Sequence, residues 1–479
     1  MNPRLTEVFA KTKILATLGP STNTTDDICS LILTGMDGVR LNFSHGNYEF
    51  YEKIYENIDK ACKNENTPLA ILADLQGPKI RIGELAEPEI EIYTGEKIEI
   101  TPEKIKGTRE KISTSYSYLV NDARTGDPIL IDDGLIRLRV IDKKENSIVC
   151  IIENGGILRP KKGMNLPGMK ISAPSVTEKD YRDLEFILKH RVDYIALSFV
   201  RSASDISILK SWLKERNREI PVIAKIEKKE AVDNFDEILN TADGIMIARG
   251  DLGVELNPED VPIIQKMIIK KCNEEGKLVI TATQMLESMI NNPIPTRAEA
   301  SDVANAVWDG TDVVMLSGET SVGKFPLRAV QVMNDIVKNI EKNLKPHKDL
   351  NLKIPEKLED NLFDSVGRAI AEISRQVNAA AIVAFTYKGR TAINYSKFRP
   401  NAKIIAFSNS FNTMNQLCLR WGVTSVFMED IDKERIAIDK AKKLIIEQGH
   451  VKEGDVVIFA AGAPYSEKSR ANWIRFEVI

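Results

Sequence analysis

The stretch of sequence that decides the fold is IPVIAKIEKKEAVDNFDEILNTADGIMIARGDLGVE, residues 220–255. It contains two short apolar runs, 221–224 and 244–248, separated by a segment of helical character. Each run has the length of a buried strand and is followed at once by polar residues. The first run leads into Lys225, Ile226 and Glu227, and the second into Arg249, Gly250 and Asp251. Two successive strands therefore end in a cation and two carboxylates.

These three charged side chains suit a divalent metal ion that contacts a phosphate. Alternation along a strand puts Lys225 and Glu227 on one face, at the point where the strand stops. Magnesium often takes only one or two carboxylates, which leaves positions for substrate phosphate. Gly250 lets a ligand approach the backbone, because no side chain blocks it. A Lys-x-Glu pair alone is typical of a solvated strand end, but Asp251 in the equivalent place one unit later favours a site.

Composition narrows the class of protein. At 479 residues, the length predicts roughly three domains. The 66 basic and 69 acidic residues leave a net charge of −3, which gives no footprint for nucleic acid or an anionic membrane. The five cysteines share no short spacing and predict free thiols in a reducing compartment. With no signal pattern and no apolar run of transmembrane length, a cytoplasmic protein is expected.

Strands alternate with helical segments before residue 77 and again after residue 173. Eight are predicted, at Lys13–Leu18, in GVRLNFSHG of residues 38–46, and at Leu69–Ala73, Tyr194–Phe199, Pro221–Ile226, Gly244–Ala248, Leu278–Ala282 and Asp312–Leu316. Repeated strand–helix units of this kind favour a parallel sheet closed into a (β/α)₈ TIM barrel. In GVRLNFSHG, strand alternation would place Arg40, Asn42 and Ser44 on one face. The alternative, an open doubly wound sheet, lacks a Gly-rich dinucleotide turn after its first strand.

Polar residues collect at the carboxyl ends of these strands, where barrel enzymes carry their chemistry. They are Arg40 and Asn42, Asp74, Ser198, Lys225 and Glu227, Gly250 and Asp251, Thr283, and Ser317 and Glu319. Solubility alone would not sort polar groups to one end. We therefore expect the active site on this face.

The remaining segments predict two further domains. Residues 77–173 contain short β-rich segments joined by Gly, Asp and Asn turns, which indicates an all-β domain inserted into the barrel of residues 1–76 and 174–344. A linker rich in Lys, Asn and Pro is predicted at 342–357. Residues 355–479 then predict a separate open α/β domain that ends in an edge strand.

Several motifs resemble the pyruvate kinase family. They are IAKIE with Lys225 and Glu227, ARGDLGVE with Asp251, ATQMLESM with Thr283, RLNFSHG from Arg40, and the long segment from Pro295 to Thr320. The resemblance spans essentially the whole chain. It implies a barrel, a β-domain lid, a C-terminal regulatory domain and a homotetramer. The implied reaction is phosphoryl transfer from phosphoenolpyruvate to ADP, which gives pyruvate and ATP at the close of glycolysis.

The resemblance also implies roles for the polar residues. Lys225 would stabilise charge on the transferring phosphoryl group and on the developing enolate, and Arg40 would clamp the phosphate with its forked donors. The backbone amides of Gly250 and Asp251, with the Thr283 hydroxyl, would receive the substrate carboxylate. Thr283 would assist protonation of the enolate through a water relay to which Ser317 and Glu319 could belong, since threonine is too weak an acid alone.

Metal and nucleotide positions follow from the same resemblance. Glu227 and Asp251 would hold Mg²⁺, with Mn²⁺ as a substitute. Arg81 and Lys162 would contact the ADP phosphates, Lys162 reaching down from the lid, and Asn42 and His45 would lie near the nucleotide. Lys161-Lys162 alone would be typical of an exposed basic pair.

One departure from the family pattern concerns potassium. Members that need K⁺ hold it with residues that match Asn42, Ser44 and Asp74 and with the backbone carbonyl at Leu75. They usually carry Thr at that last position and Glu at the position of Lys79. The Lys79 ammonium could replace the bound cation and would repel one, so activity without potassium is expected.

A second departure lies in the C-terminal domain. Thr386, Lys388, Gly389 and Thr391 match the family's phosphate loop for an allosteric effector, a sugar phosphate or a nucleotide. Hydroxyls, a glycine and cations ahead of a helix suit a phosphate. The family often has Ser where Lys388 stands, which leaves the effector open, and an ordinary turn before a helix is the alternative.

Two other functions fit parts of the pattern. A magnesium-dependent lyase or aldolase acting through the enolate of pyruvate would need similar ligands, but it has no use for a lid with a nucleotide-binding cation. A sugar-phosphate-sensing scaffold with an inactive barrel would be expected to lack Lys225, Glu227 or Asp251, and all three are present.

Overall fold

Eight short parallel strands close into a barrel in the computed structural model, which describes residues 10–344, 355, 357–429, 434–462 and 472–479. They are β1 (Lys13–Thr17), β2 (Gly38–Asn42), β3 (Ala70–Asp74), β12 (Tyr194–Leu197), β13 (Val222–Ile226), β14 (Gly244–Ala248), β15 (Leu278–Ala282) and β16 (Val313–Leu316). β1 pairs with both β2 and β16 and so closes the ring. The predicted TIM barrel is confirmed, and each predicted strand takes part in it.

Helices cover the outside of the barrel. They are α1 (Thr25–Thr34), α2 (Tyr48–Asn64), α4 (Glu178–Ile187), α5 (Ala203–Glu215), α6 (Lys229–Asp233), α7 (Phe235–Thr241), α8 (Arg249–Glu255), α9 (Val261–Glu275), α10 (Arg297–Asp309), α11 (Gly318–Ser321) and α12 (Pro326–Glu341), with 3₁₀ turns at Pro258–Asp260 and Glu287–Ile290. Thr177 and Asp180 have the spacing of a capping box in the sequence, and in the structure they form one that opens α4. The strands are buried on both faces, as the helix layer requires.

The strand prediction for GVRLNFSHG was too long. β2 ends at Asn42, and Phe43 to His45 form a turn. The Asn42 side-chain oxygen accepts the Ser44 N–H at 3.2 Å, and the Asn42 carbonyl accepts the His45 N–H. An asparagine that bonds the backbone two residues on competes with strand pairing, so Ser44 does not share the strand face of Arg40.

The inserted segment is a β-domain with its own hydrophobic core. Its strands are β4 (Ile90–Ile92), β5 (Lys97–Thr101), β6 (Lys111–Ser113), β7 (Pro128–Ile131), β8 (Ile136–Lys144), β9 (Ser147–Asn154), β10 (Gly156–Leu158) and β11 (Met164–Asn165), with one short helix, α3 (Leu119–Asp122). Six of them form one sheet, and β4 pairs with β10. Its core, which runs from Ile82 to Ile171, is separate from that of the barrel. The domain therefore packs as a unit of its own above the barrel.

The C-terminal domain is an open α/β sheet. Its elements are α13 (Leu358–Gln376), β17 (Ala381–Phe385), α14 (Arg390–Lys397), β18 (Lys403–Ser408), α15 (Phe411–Leu417), β19 (Val423–Phe427), α16 (Glu434–Glu447), β20 (Val456–Ala461) and β21 (Trp473–Val478). The sheet order is β19-β18-β17-β20-β21, with β21 antiparallel at the edge, as predicted. Residues 345–354 and 356 of the predicted linker lie outside the described residues.

This domain closes the amino-terminal end of the barrel. Leu419 is fully buried within the cluster formed by the inward-facing strand residues, which includes Leu15, Leu72 and Met315. The Tyr194 hydroxyl, at the start of β12, donates to the Gln416 carbonyl at 2.7 Å. One end of the barrel is thus filled by apolar side chains, and the polar residues are left to the opposite end. In the part of the chain that is described, no helix has the length and apolar character needed to span a bilayer.

Candidate active site

Lys225 lies at the centre of a buried ionic cluster at the carboxyl end of the barrel. Its Nζ is 3.0 Å from Glu227 Oε1 and 3.2 Å from Asp74 Oδ1, and it donates to Ser198 Oγ at 2.7 Å. Asp74 and Glu227 are each 1 % exposed. The structure therefore brings one ammonium and two carboxylates from β3 and β13 into direct contact.

Ion pairing affects the pKa values of Lys225 and Asp74 more than burial does. Burial lowers the pKa of Lys225, but Asp74 and Glu227 raise it by more, so the pKa ends above its usual range. Burial raises the pKa of Asp74, but Lys225 and Arg40 lower it further, so Asp74 stays ionised. Both groups hold their charges in an interior that would otherwise neutralise them.

Arg40, on β2, forms an ion pair with the same aspartate, Asp74. Its Nε and Nη2 both donate to Asp74 Oδ2 at 2.7 Å, and Nη1 donates to Thr17 Oγ1 at 3.1 Å. A planar guanidinium held at both sides presents a fixed fork, which is the geometry that matches a phosphate. Arg40 is thus positioned by β1 and β3 before any ligand arrives.

Glu227 and Asp251 form the acidic pair that the sequence assigns to a metal ion. Glu227 Oε2 accepts the Phe199 N–H at 2.6 Å, and Phe199 holds a left-handed backbone with φ of 54°. Burial raises the Glu227 pKa, Lys225 lowers it, and the nearby Asp251 raises it again, leaving it above the ordinary value. Two acids that repel each other in a buried site are relieved by a divalent cation, so these residues fit Mg²⁺.

Thr283 and Gly250 meet beside this acidic pair. The Gly250 N–H donates to Thr283 Oγ1 at 2.9 Å, and a Cβ at Gly250 would lie 3.4 Å from that oxygen. Thr283 and Gln284 have φ of 66° and 54°, a conformation that costs free energy unless neighbours hold it. Arg249 supplies this hold, because its Nη2 donates to the Thr283 carbonyl at 2.7 Å while Nη1 pairs with Asp302 at 2.7 Å.

Ser317 and Glu319 lie on the neighbouring strand end and are tied to backbone. Glu319 accepts the Ser317 N–H at 2.7 Å and the Leu286 N–H at 3.1 Å, and burial raises its pKa. Ser317 Oγ is buried, and no hydrogen-bond partner for it occurs among the described residues. Glu319 therefore braces the Thr283 loop, and Ser317 keeps a hydroxyl available.

The residues predicted to contact nucleotide lie where the lid joins the barrel. Arg81 Nη1 donates to the Lys161 carbonyl at 3.0 Å, and the Lys162 ammonium pairs with Asp132 of the lid at 2.9 Å. His45 is exposed, and partial burial together with Lys79, Arg81, Arg40 and Lys179 lowers its pKa. The charges of Lys79 and Arg81 thus act on one histidine at the edge of the site.

A cleft separates the lid from the barrel mouth. Its walls include Lys79, Asp133, Asn165, Asp251 and Glu255. A ligand in this cleft would lie between the lid and Asp251.

The proposed potassium ligands are already occupied by protein groups. Asp74 contacts Arg40 and Lys225, the Leu75 carbonyl accepts Ser198 Oγ at 2.7 Å, and Asn42 Oδ1 accepts the Ser44 N–H. Two cations already neutralise the single acid of the set. These residues do not fit a further monovalent cation.

The candidate effector loop has the shape expected of a phosphate loop. Gly389 has φ of 77° and directly precedes α14. Thr386 and Thr391 are buried, whereas Lys388 is exposed. The positive φ favours glycine here, and a Cβ would lie 3.3 Å from the Leu417 side chain.

Several site residues escaped the sequence argument. Thr17, Phe199 and Arg249 position the predicted residues, and Lys228 pairs with Glu255 in the cleft at 2.8 Å. Ser198 was noted at a strand end but received no role. The sequence offered one signal for these contacts, Arg249, which directly follows an apolar strand. An arginine buried at a strand end needs hydrogen-bond acceptors around it.

Comparisons with known proteins agree with this architecture. Residues 9–330 match the family described as "Pyruvate kinase, barrel domain", and residues 364–476 match "Pyruvate kinase, alpha/beta domain". The chain is 44 % identical to a pyruvate kinase of Geobacillus stearothermophilus over 98 % of this chain and 80 % of that protein. It is 43 % identical to a pyruvate kinase of Staphylococcus aureus over the same shares.

A solved structure gives the same result in three dimensions. The crystal structure of a pyruvate kinase from Cryptosporidium parvum superposes with a TM-score of 0.93 at 36 % identity and covers 100 % of this chain and 99 % of that one. The resemblance drawn from the motifs is confirmed. The chain belongs to the pyruvate kinase family, the phosphotransferases that convert phosphoenolpyruvate and ADP to pyruvate and ATP.

Proposed function

We propose that the ionic cluster around Lys225 carries the family's phosphoryl transfer in this chain. The single observation that supports this is the contact of the Lys225 ammonium with Asp74 and Glu227, within a barrel mouth that opens on the lid cleft. Phosphoryl transfer needs alignment and charge stabilisation more than covalent chemistry. A buried ammonium whose position is fixed by two acids and a serine meets that need without reorganising.

Each neighbouring group then has one task. Arg40 orients the phosphoryl group, and Lys225 stabilises the charge that develops on it and on the enolate. The Thr283 hydroxyl and the backbone at Gly250 and Asp251 receive the carboxylate, with Thr283 placed near the carbon that gains a proton. Ser317 offers the hydroxyl through which a water relay reaches that carbon, because its Oγ is not engaged by a described residue.

Glu227 and Asp251 would hold Mg²⁺, for which Mn²⁺ can substitute. When bound, the ion neutralises the acidic pair and supplies positive charge beside the phosphate. Arg81 and Lys162 contact the ADP phosphates, and Asn42 and His45 lie near the nucleotide. Lys162 serves only after the lid moves it from Asp132 toward the cleft, which is the gating expected of a lid.

The first test measures ADP-dependent release of pyruvate from phosphoenolpyruvate with Mg²⁺. Lys225→Met should lower kcat by about 10²–10³, because it removes a preorganised charge that acts in the transition state. Lys229→Met removes an exposed lysine that pairs with Asp233 and serves as the matched control. A kcat for the Lys225 variant within tenfold of wild type would contradict the proposal. Pyruvate release without ADP would favour the lyase instead.

We also propose that this enzyme works without potassium. The acid of the potassium set is already shared by Arg40 and Lys225, and the charges of Lys79 and Arg40 both act on His45, close in the chain to Asn42 and Ser44. A further monovalent cation would meet repulsion rather than an unpaired carboxylate.

Activity in potassium-free and sodium-free buffer tests this directly. The wild-type rate should be the same in KCl and in tetramethylammonium chloride of equal ionic strength, and Lys79→Glu should make the rate depend on KCl. Lys104→Glu alters an exposed lid lysine with the same change of charge and serves as the control. Strict potassium dependence of the wild type would overturn the idea.

Regulation and assembly complete the proposal. The loop of Thr386, Lys388, Gly389 and Thr391 binds the phosphate of a sugar-phosphate or nucleotide effector, and the chain assembles as a homotetramer. Domain boundaries at residues 77, 173 and about 355 separate barrel, lid and C-terminal domain. A thermal-shift screen of phosphorylated sugars and nucleotides identifies the effector, because a ligand that binds only the folded state raises the melting temperature.

A further inference from the structure

A small polar cleft lies between the barrel and the C-terminal domain, on the side away from the lid. Four cationic side chains line it against a single carboxylate, Asp312. The four are Lys277, Lys397, Arg399 and Arg420.

Arg399 makes all of its described hydrogen bonds through one nitrogen. Nη2 contacts Asp312 Oδ1 at 2.7 Å, Asn273 Oδ1 at 2.7 Å and the Gly310 carbonyl at 3.1 Å. Nε and Nη1 are buried, and no acceptor for them occurs among the described residues. The residue is only 6 % exposed and stacks on Trp421, with its guanidinium carbon 4.7 Å from the ring centroid. Buried N–H groups without an acceptor cost free energy, so we expect a bound group in the cleft to accept these hydrogen bonds.

Arg420, which follows α15, lines the same cleft. Its Nε is also buried without an acceptor among the described residues. The two arginines of the cleft lining therefore carry unmet donors on three separate nitrogens. Guanidinium groups with several free N–H donors are the side chains best suited to a tetrahedral oxyanion.

The two lysines supply charge rather than free donors. Lys397 pairs with Asp364 at 2.6 Å, and Lys277 donates to the Ala242 carbonyl at 2.7 Å. Burial lowers the Lys277 pKa, Asp243 raises it, and Lys210 and Arg420 lower it further. An anion in the cleft would relieve this repulsion among cations.

We propose that this cleft binds a small tetrahedral oxyanion with the chemistry of inorganic phosphate. Arg399 and Arg420 donate to it directly, and Lys277 and Lys397 balance its charge. The site is distinct from both the lid cleft and the Gly389 loop.

The position of the cleft gives the bound anion a structural effect. Lys277 and Asp312 belong to the barrel, whereas Lys397, Arg399 and Arg420 belong to the C-terminal domain. An anion held by Arg399 and Arg420 strengthens the contact that Arg399 makes with Asp312 and Asn273. Phosphate therefore stabilises the junction of the two domains, and by linkage it raises the melting temperature.

Phosphate titration by calorimetry at constant ionic strength tests the site in the full chain. Arg420→Gln removes the free Nε donor, and Arg399→Lys keeps a cation for Asp312 while it removes the fork. Each variant should bind phosphate at this site about tenfold or more weakly. The same substitutions at Arg375, an exposed arginine of α13 that pairs with Glu372, are the matched controls and should leave binding unchanged.

A crystal soaked in selenate identifies the location independently of folding defects. An anomalous peak within hydrogen-bond distance of Arg399 Nε and Nη1 is expected, and it should be lost in Arg420→Gln. Phosphate esters are compared with inorganic phosphate in the same calorimetric series, which separates a free ion from a phosphate group of a larger molecule. Peaks confined to the barrel mouth or the Gly389 loop, or unchanged phosphate binding in Arg420→Gln and Arg399→Lys, would overturn the proposal.

Discussion

His450 is buried in the C-terminal domain, and its Nε2 meets no hydrogen-bond partner in the described ranges. Burial and the nearby Lys403 lower its pKa to about 4. Asp74 at the barrel mouth is more deeply buried, but two cationic partners keep it charged. Burial therefore leaves one group neutral and the other ionised, and the difference is whether an opposite charge lies in contact.

The neutral His450 predicts a loss of stability in mild acid. Its folded pKa lies below the unfolded value of about 6.5, so as the pH falls from about 6.5 toward 4 the unfolded chain binds a proton that the folded chain does not. The loss approaches about 3 kcal/mol at pH 4. Calorimetric melting of wild type and His450→Gln between pH 8 and 4.5 checks this. The curves should run parallel above pH 7 and diverge below it, and equal slopes throughout would refute the assignment.

At the scale of elements, helix α8 and the loop after β15 are held together at the mouth of the barrel. Gly250 stands in the first turn of α8 and donates to Thr283, which opens the loop in a left-handed conformation. Arg249 joins the two, since its guanidinium reaches both the Thr283 carbonyl and Asp302 of α10. One side chain thus fixes the relation of the two elements to which we assign the substrate carboxylate.

Removal of this link should impair substrate binding without removing a group that touches substrate. Arg249→Met is expected to raise the KM for phosphoenolpyruvate and to lower kcat/KM by about 10–100-fold, because a displacement of about 1 Å in a catalytic group can cost a factor near 10². The KM for ADP should not change. Arg328→Met, at an exposed arginine that bonds Gln331, is the control. Equal effects on both KM values would indicate general destabilisation instead.

At the scale of the whole molecule, the two ends of the barrel are put to different uses. The amino-terminal end is closed by Leu419, by the Tyr194–Gln416 hydrogen bond and by the Arg399–Asp312 ion pair. The carboxyl-terminal end faces the lid through a polar cleft, where Asn165 of the lid donates to Glu255 at 3.4 Å. The C-terminal domain is therefore a structural part of the barrel, whereas the lid meets it across a cavity.

Leu419 should consequently stabilise more than its own domain. Leu419→Ala removes an apolar side chain from a fully enclosed site and is expected to cost about 2–5 kcal/mol of unfolding free energy, with a lower melting temperature for the barrel. Leu358→Ala, at a position 71 % exposed, provides the matched control and should have little effect. If the Leu419 variant melts at the same temperature as wild type, the Leu419 side chain does not couple the stability of the two domains. Circular dichroism melting curves distinguish the two outcomes.

The strands and caps could be predicted because their signals are local. Short apolar runs that end in polar residues gave all eight barrel strands, and Thr177 with Asp180 gave a helix start. The turn at Asn42 was missed, because side-chain bonding to backbone competes with alternation and the sequence alone does not say which wins. The partners of Asp74 were missed for a different reason. β3 and β13 are not neighbours in the ring, and only the closed barrel brings alternate strands into one interior layer.

The sequence by itself determined the family, the barrel and the position of Lys225, Glu227 and Asp251 at one end of it. The alternation within a strand and the order of strands along the chain are local properties of the sequence. Only the tertiary structure decided that Asp74 lies between Arg40 and Lys225, that Arg249 holds the Thr283 loop, and that Leu419 fills the opposite end. These contacts join residues far apart in the chain. Their free energies depend on burial and on distances that exist only after the sheet has closed.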